Sequence, residues 1–179
     1  METRAWVDYA VIGLKLCPFA KAPQVQGLVR YIVSNATTND ALNEDLINEL
    51  QHLSTAPTDQ VETTLLIHPD VLQEFENYNN FIMLAERTIE ALDLEGIIQV
   101  AGFHPHYQFE GTTVNDITNA TNRAPFPTIH LLRESSIEQA ISEFGNTQLI
   151  YGKNIQTLER LGPEGWEALQ YRCRLKADL

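Results

Sequence analysis

Two apolar runs of the chain each end in a histidine that is followed by a proline. The run TLLIHP at residues 64–69 ends at His68, and the run QVAGFHP at residues 99–105 ends at His104, with His106 two residues further on. Open α/β sheets bind ligands outside the carboxyl ends of their strands. If both runs are parallel strands, their imidazoles leave the same edge of one sheet, and we predict a site at that edge.

The segment after the second run is long and rich in polar residues. Residues 104–126 form a connection of about 23 residues with little periodicity, longer than the ~12–15 residues at which a loop usually has a functional reason. Several aromatic residues would anchor it to the body of the protein, and Asn119, Asn122 and Arg123 are types that recognise small ligands. The sequence therefore predicts a His/Asn/Arg-lined pocket.

A metal centre is one interpretation of the histidines. His104 and His106 are two residues apart, and His68 or His130 could supply a third nitrogen, which would leave the open position of a catalytic metal. Pro105 can turn the pair apart, and no helical His-Glu-x-x-His pair is present. The alternative is structural: strand-end histidines bond the following turn, and His130 is a core residue.

The arginines suggest recognition of an anion. Arg123, with Asn119 and Asn122, could clamp a carboxylate or phosphate in a bidentate manner, and Arg133 is a second candidate. The alternatives are a bond from Arg123 to loop carbonyls and a salt bridge from Arg133 to a nearby glutamate. Neither a Gly-x-Gly-x-x-Gly run nor a Walker-type loop is present, so a nucleotide cofactor has no support.

Cys17 offers a third chemistry, that of a thiolate. Lys15 and Lys21 lie close to it in sequence, but no second cysteine is near enough to resolve a disulfide. A lone cysteine beside a proline and a phenylalanine is more often a small buried residue. We therefore expect Cys17 to be structural.

Composition excludes some partners and suggests a compartment. The chain has 12 Lys and Arg against 24 Asp and Glu, a formal charge of -12, which opposes binding to nucleic acid or to an anionic membrane. Two cysteines give no disulfide framework, and no signal segment or apolar run of about 18 residues is present. We expect a soluble cytoplasmic protein of undefined oligomeric state.

The elements that must position these residues can be placed from hydrophobic periodicity. Strands are predicted at residues 27–33, 61–67, 97–103 and 128–132, and helices at 42–53, 71–92 and 135–144, with shorter ones at 154–161 and 166–169. Alternating strands and helices favour right-handed crossovers. The expected fold is an α/β two-layer sandwich with a mainly parallel four-stranded sheet of βαβ units, in one domain over residues 1–179.

Four segments resemble the motifs of a known family. They are GLKLCPFA at residues 13–20, FHPHYQF at 103–109, TNRAPFPTIHLLRE at 121–134 and NIQTLERLG at 154–162. They are similar to a bacterial family of about 180 residues known as domain of unknown function 1415. The resemblance covers almost the whole chain and implies a single domain, but it implies no activity, cofactor or partner.

Together these observations predict an enzyme that acts on a small anionic metabolite. His104 would be the general base or, with His106, a metal ligand, and Arg123 would hold the anion. His68, Asn119, Asn122, His130 and Arg133 would contact the ligand, and a divalent metal is an option. The alternative is a protein that binds a small ligand or another protein without turnover.

Overall fold

Strands and helices alternate along most of the chain, as predicted. The computed structural model describes residues 2–144 and 147–177. The strands are β1 (Val29–Val33), β2 (Thr63–Ile67), β3 (Ile98–Phe103) and β4 (Thr128–Arg133). The α-helices are α1 (Glu2–Trp6), α2 (Lys21–Gln26), α3 (Asn39–Thr55), α4 (Phe75–Ala91), α5 (Glu134–Phe144) and α6 (Thr147–Ala177). All four predicted strands are present, with bounds within two residues of those expected.

The sheet is mixed, so the prediction of a mainly parallel sheet is wrong. Its strand order is β1-β2-β4-β3. The pair β1 and β2 is parallel, but β4 runs antiparallel to both of its neighbours. The chain leaves β3 through a long loop with no crossover helix, and it therefore returns along the sheet in the opposite direction. The strand β4 thus lies between the two strands that end in histidine.

Helices cover both faces of the sheet, so the fold has three layers where two were expected. Leu66, Ile129 and Ile98 pack with α3 and α4 on one face. Leu65 and Phe103, which point to the other face, pack with α1 and α6. Side chains alternate between the faces of a strand, and the strand register therefore decides which layer each residue joins.

The helices α3 and α4 confirm the predicted periodicity, although α4 begins late. Four leucines of α3 are fully buried, and the Thr38 hydroxyl accepts a hydrogen bond from the Ala41 amide at its start. The helix α4 begins at Phe75 and not at residue 71 as predicted, because Leu72 has a φ of 58° and interrupts the helical path. The segment between β2 and α4 is consequently an irregular turn.

The two ends of the chain pack together beside the sheet. After α1 the backbone continues as a π-helix, Val7–Ile12, which ends at Gly13, where a Cβ would overlap the carbonyl oxygen of Tyr9. The helix α6 is broken at Gly162, whose φ of 70° is not helical, so the two short helices predicted there are two arms of one element. In the described residues no helix has the length and apolarity needed to cross a bilayer.

Candidate ligand-binding pocket

The strand-end histidines lie at the same edge of the sheet, on either side of β4. Ile67, Thr128 and Phe103 are in register across the three strands, which places His68 and His104 one residue beyond that row. Both histidines are fully buried, with 0% exposure. The prediction that they leave one edge is correct, whereas the prediction that they line a solvent-accessible pocket is wrong.

Tyr78 of α4 fills the space between the two histidines. Its ring centroid lies 5.8 Å from that of His68 and 5.0 Å from that of His104. Its hydroxyl donates to the Thr128 carbonyl at 2.7 Å and accepts from the Phe103 amide at 2.9 Å. The hydroxyl therefore joins two strands at the end of their ladder, in a buried group that we call the His68–Tyr78–His104 cluster.

Each histidine of this cluster bonds the turn that follows β2. The Nδ1 of His68 lies 3.1 Å from the Val71 carbonyl, and the Nε2 of His104 lies 3.1 Å from the Leu72 carbonyl. Because carbonyls only accept, these nitrogens carry the protons. The His106 amide donates to the other nitrogen of His104 at 3.0 Å. His104 thus has no free nitrogen with which to accept a proton from a substrate.

Burial keeps the cluster neutral. It lowers the pKa of His68 to about 4 and also lowers the pKa of His104. The Nε2 of His68 is buried without a hydrogen-bond partner in the described residues. A proton added there would be a charge without solvent or a counter-ion, which explains the direction of the shift. The alternative proposed for these residues, strand-end bonds to a turn, is what the structure contains.

The predicted asparagines hold the long loop together. Asn119 is fully buried, and its side-chain oxygen accepts from the Phe109 amide at 3.0 Å and the Thr112 hydroxyl at 2.9 Å. Its amide donates to the Thr113 carbonyl at 2.9 Å. Asn122 donates to the Gly102 carbonyl at 3.1 Å. The polar side chains expected to contact a ligand are therefore used in ordering 23 residues that lack long helices or strands.

Arg123 forms hydrogen bonds within the long loop and also lines a cavity. Its Nε donates to the Tyr107 carbonyl at 3.1 Å and its Nη2 to the Val114 carbonyl at 2.7 Å. The remaining nitrogen, Nη1, has no partner in the part of the chain that the structure describes. Partial burial lowers the pKa of Arg123, and the Asp116 carboxylate opposes this effect. The guanidinium stays charged and has a donor to spare.

That cavity has a volume of about 260 Å³ and lies between α1, the long loop and the second arm of α6. Its lining combines apolar and charged groups, and we call it the Trp6–Trp166 pocket. The apolar lining residues are Trp6, Ala10, Pro105, Ala124, Pro125, Trp166 and Leu169. The polar ones are Glu2, His106, Arg123, Gln170, Cys173 and Arg174. Of the predicted catalytic residues, His106 and Arg123 line this pocket, whereas His104 does not.

Two other predicted ligand contacts lie elsewhere. The Nε2 of His130 is 2.7 Å from the Thr63 hydroxyl, whose own proton goes to the Leu131 carbonyl at 2.6 Å. Nε2 therefore donates, and burial lowers the pKa of His130 to about 4. Arg133 lies at the opposite end of β4 and donates to the carbonyls of Ala56 and Val61, with none of the salt bridges considered above. Both are structural contacts.

The donor set does not fit the predicted metal site. The rings of His104 and His106 are 5.8 Å apart, but both nitrogens of His104 are engaged in hydrogen bonds. Across residues 2–144 and 147–177 there is no group of three or more His, Cys, Asp or Glu side chains arranged to hold a metal ion. A metal role for the pair therefore has no structural support.

Neither cysteine has the environment of a nucleophile. Burial raises the pKa of Cys17, and it also raises the pKa of Cys173, which is 2% exposed. A thiol with a raised pKa stays protonated at neutral pH and reacts slowly. The expectation that Cys17 is structural agrees with this environment.

Sequence reasoning identified two of the residues that line the pocket, His106 and Arg123, and missed the others. Trp6 and Trp166 pack on the core with 3% and 6% exposure, and they also line the cavity. Arg174 carries no local signal, since it is one of several basic residues near the end of a helix. No spacing links residue 6 to residue 174, and only the packing of the two chain ends reveals the pocket.

A larger cavity at the carboxyl end of β1 has the opposite electrostatic character. Its volume is about 390 Å³, and its lining includes Glu44, Asp45 and Glu49. The Ser34 hydroxyl donates to Asp45 at 2.6 Å, and Glu49 pairs with Arg30 at 2.8 Å. These carboxylates would repel an anion, so this cavity does not suit the predicted ligand.

Comparison with known proteins identifies the family without naming an activity. No curated protein and no solved structure matches the chain significantly. The sequence profile of a family described as a protein of unknown function, DUF1415, matches residues 1–168. The match includes the loop that carries His106 and Arg123 and ends within the second arm of α6. The chain therefore belongs to the DUF1415 family.

Proposed function

We propose that this protein binds a small organic anion in the Trp6–Trp166 pocket. The observation that supports the proposal is the state of Arg123. Two backbone carbonyls fix its guanidinium, and the third nitrogen has no partner in the described residues, beside a cavity lined by apolar rings. A fixed guanidinium gives up little conformational entropy on binding, and it is the side chain best suited to carboxylate or phosphate.

The size and lining of the pocket restrict the ligand. A volume of about 260 Å³ lies just below the range of typical ligand sites, about 300–1,000 Å³, and suits a single ring or a short chain. The two indoles offer flat apolar surfaces for the body of such a ligand. A dinucleotide would be too large.

Turnover is a second candidate, and His106 is the residue that favours it. Its side chain is exposed and lines the same pocket, while its amide is tied to the buried ring of His104. An imidazole in contact with solvent at a binding pocket can act as a general acid or base. The proposed enzyme would therefore use His106 for proton transfer and Arg123 for the anion, with His104 only positioning the backbone of His106.

The test is a titration of the purified full chain with carboxylates and phosphates of one to ten carbon atoms, followed by isothermal calorimetry. We expect a binder whose affinity falls about tenfold or more in Arg123→Gln, because a charge-assisted hydrogen bond is lost. Arg87→Gln removes the same charge from the exposed surface of α4 and should bind like the native protein.

Since Arg123 also fastens the loop, a second variant leaves it in place. Gln170→Trp would fill the cavity from α6 and should abolish binding, with the stability of the protein checked by urea unfolding. Absence of any binder, or unchanged affinity in both variants, would contradict the proposed function. If the native protein converts a bound ligand to a product and the His106→Gln variant does not, the result would support turnover.

A further inference from the structure

The second arm of α6 contributes a separate wall to the pocket. After the break at Gly162 it supplies Trp166, Leu169, Gln170, Cys173 and Arg174. The family match ends at residue 168, so the last four of these residues lie outside it. The wall formed by the loop and the wall formed by this arm are therefore separate contributions to one cavity.

Arg174 is the charged residue of that wall. It is exposed, and none of its nitrogens has a hydrogen-bond or ion-pair partner in residues 2–144 and 147–177. Arg172 lies on the same arm but is used differently, because its guanidinium packs 4.4 Å from the ring centroid of Tyr9. Lys176 is exposed and does not line the cavity.

The position of Arg174 at the cavity is not explained by the helix alone. Basic residues are favourable in the last turn of any helix, but Lys176 satisfies that preference as well as Arg174 does, and Arg172 lies before the last turn. Arg174 differs from them in lining a cavity that already contains Arg123 on another wall. Two guanidinium groups and the Glu2 carboxylate therefore line one small cavity, and the Asp116 carboxylate also acts on Arg123. A ligand with two acidic groups would pair one group with each guanidinium.

We infer that the pocket selects ligands with two anionic groups on a small apolar body, and that Arg174 is the specificity-determining residue for the second group. This inference rests on the proposed function, since it needs the first group to be held by Arg123. The apolar body would contact Trp6 and Trp166, which line the same space. A dicarboxylate with one ring, or an equally small carboxylate carrying a phosphate, has the required chemistry.

The experiment compares benzoate with isophthalate, which differ by one carboxylate on the same ring. At fixed ionic strength, calorimetry of the full chain should show that isophthalate binds about tenfold or more tightly than benzoate. Arg174→Gln should reduce the affinity for isophthalate to that for benzoate and leave benzoate unchanged. Arg123→Gln should weaken both ligands, and Lys176→Gln should change neither.

The outcomes separate this inference from the proposed function. If benzoate binds through Arg123 but isophthalate has no advantage, or keeps its advantage in Arg174→Gln, the inference is wrong and the proposed function stands. If neither ring compound binds and no anion of the wider panel binds, both are wrong. A third outcome is that phenyl phosphate binds more tightly than isophthalate and that its binding requires both arginines. The two arginines would then bind one shared anionic group and not two separate groups, which would overturn the inference.

Discussion

Two histidines that are two residues apart, His104 and His106, belong to regions with opposite chemistry. His104 lies in a buried cluster where each protonated nitrogen meets a backbone carbonyl. His106 is exposed and lies at a pocket where the Nη1 of Arg123 has no partner in the described residues. In the described residues the cluster uses every polar side-chain atom except the Nε2 of His68 for hydrogen bonds within the fold, whereas in the pocket the Nη1 of Arg123 has no partner. The residue type alone does not distinguish the two histidines, because their burial and their hydrogen-bond partners differ.

The comparison predicts the largest effect for Tyr78, which connects the cluster to the sheet. Tyr78→Ala removes a ring that is 1% exposed and two hydrogen bonds to the strands, and we expect a loss of about 5 kcal/mol in the free energy of unfolding. Tyr78→Phe, which loses only the hydroxyl, should cost about half as much. Urea unfolding measures both, and Tyr171→Ala, at a 57% exposed position of α6, is the control. A loss below about 1 kcal/mol in Tyr78→Ala would show that the cluster is not structural.

A pH titration of stability tests whether the cluster is neutral. The pKa of His68 is about 4 when folded and about 6.5 when unfolded, so the unfolded chain takes up a proton first as the pH falls. The contribution of neutral His68 to the free energy of unfolding is therefore fully present above pH 6.5. It falls by about 3 kcal/mol as the pH is lowered from 6.5 to 4. The lowered pKa values of His104 and His130 act in the same direction.

Variants of single histidines isolate this effect from the titration of carboxylates. His68→Phe should be less stable than the native protein at pH 7, because the Val71 carbonyl loses its donor, but it should lose less stability on acidification. His52→Gln, at an exposed position of α3, is the control and should leave the dependence of the free energy of unfolding on pH unchanged. Equal slopes in native protein and His68→Phe would contradict a neutral buried His68.

The smallest effects are expected at the pocket itself. His106→Gln and Arg174→Gln replace exposed side chains without hydrogen bonds from those side chains to the described residues, and each should change the free energy of unfolding by less than about 0.5 kcal/mol. Urea unfolding without ligand is the measurement. A loss above about 1.5 kcal/mol in either variant would mean that these residues support the fold, and the contrast between the two regions would then disappear.

Local patterns in the sequence determined most of the elements. The spacing of Leu42, Leu46, Leu50 and Leu53 predicted α3, because one face of a helix is read directly from residues three and four apart. Apolar runs likewise predicted all four strands, and two short helices were predicted where α6 has its two arms. These features depend on neighbours in the chain and on backbone geometry.

Only the tertiary structure decided the strand order and the partners of the polar groups. The periodicity of β4 is the same whether it lies at an edge or between β2 and β3, since pairing depends on residues distant in sequence. In the sequence, Asn119 and Arg133 are residues of types that often bind ligands. In the fold, their side chains donate hydrogen bonds to backbone carbonyls instead. The pocket depends on the packing of α1 against α6, which no local pattern encodes. The sequence therefore determined which polar groups were available, and the packing of distant segments determined which of them form hydrogen bonds within the fold.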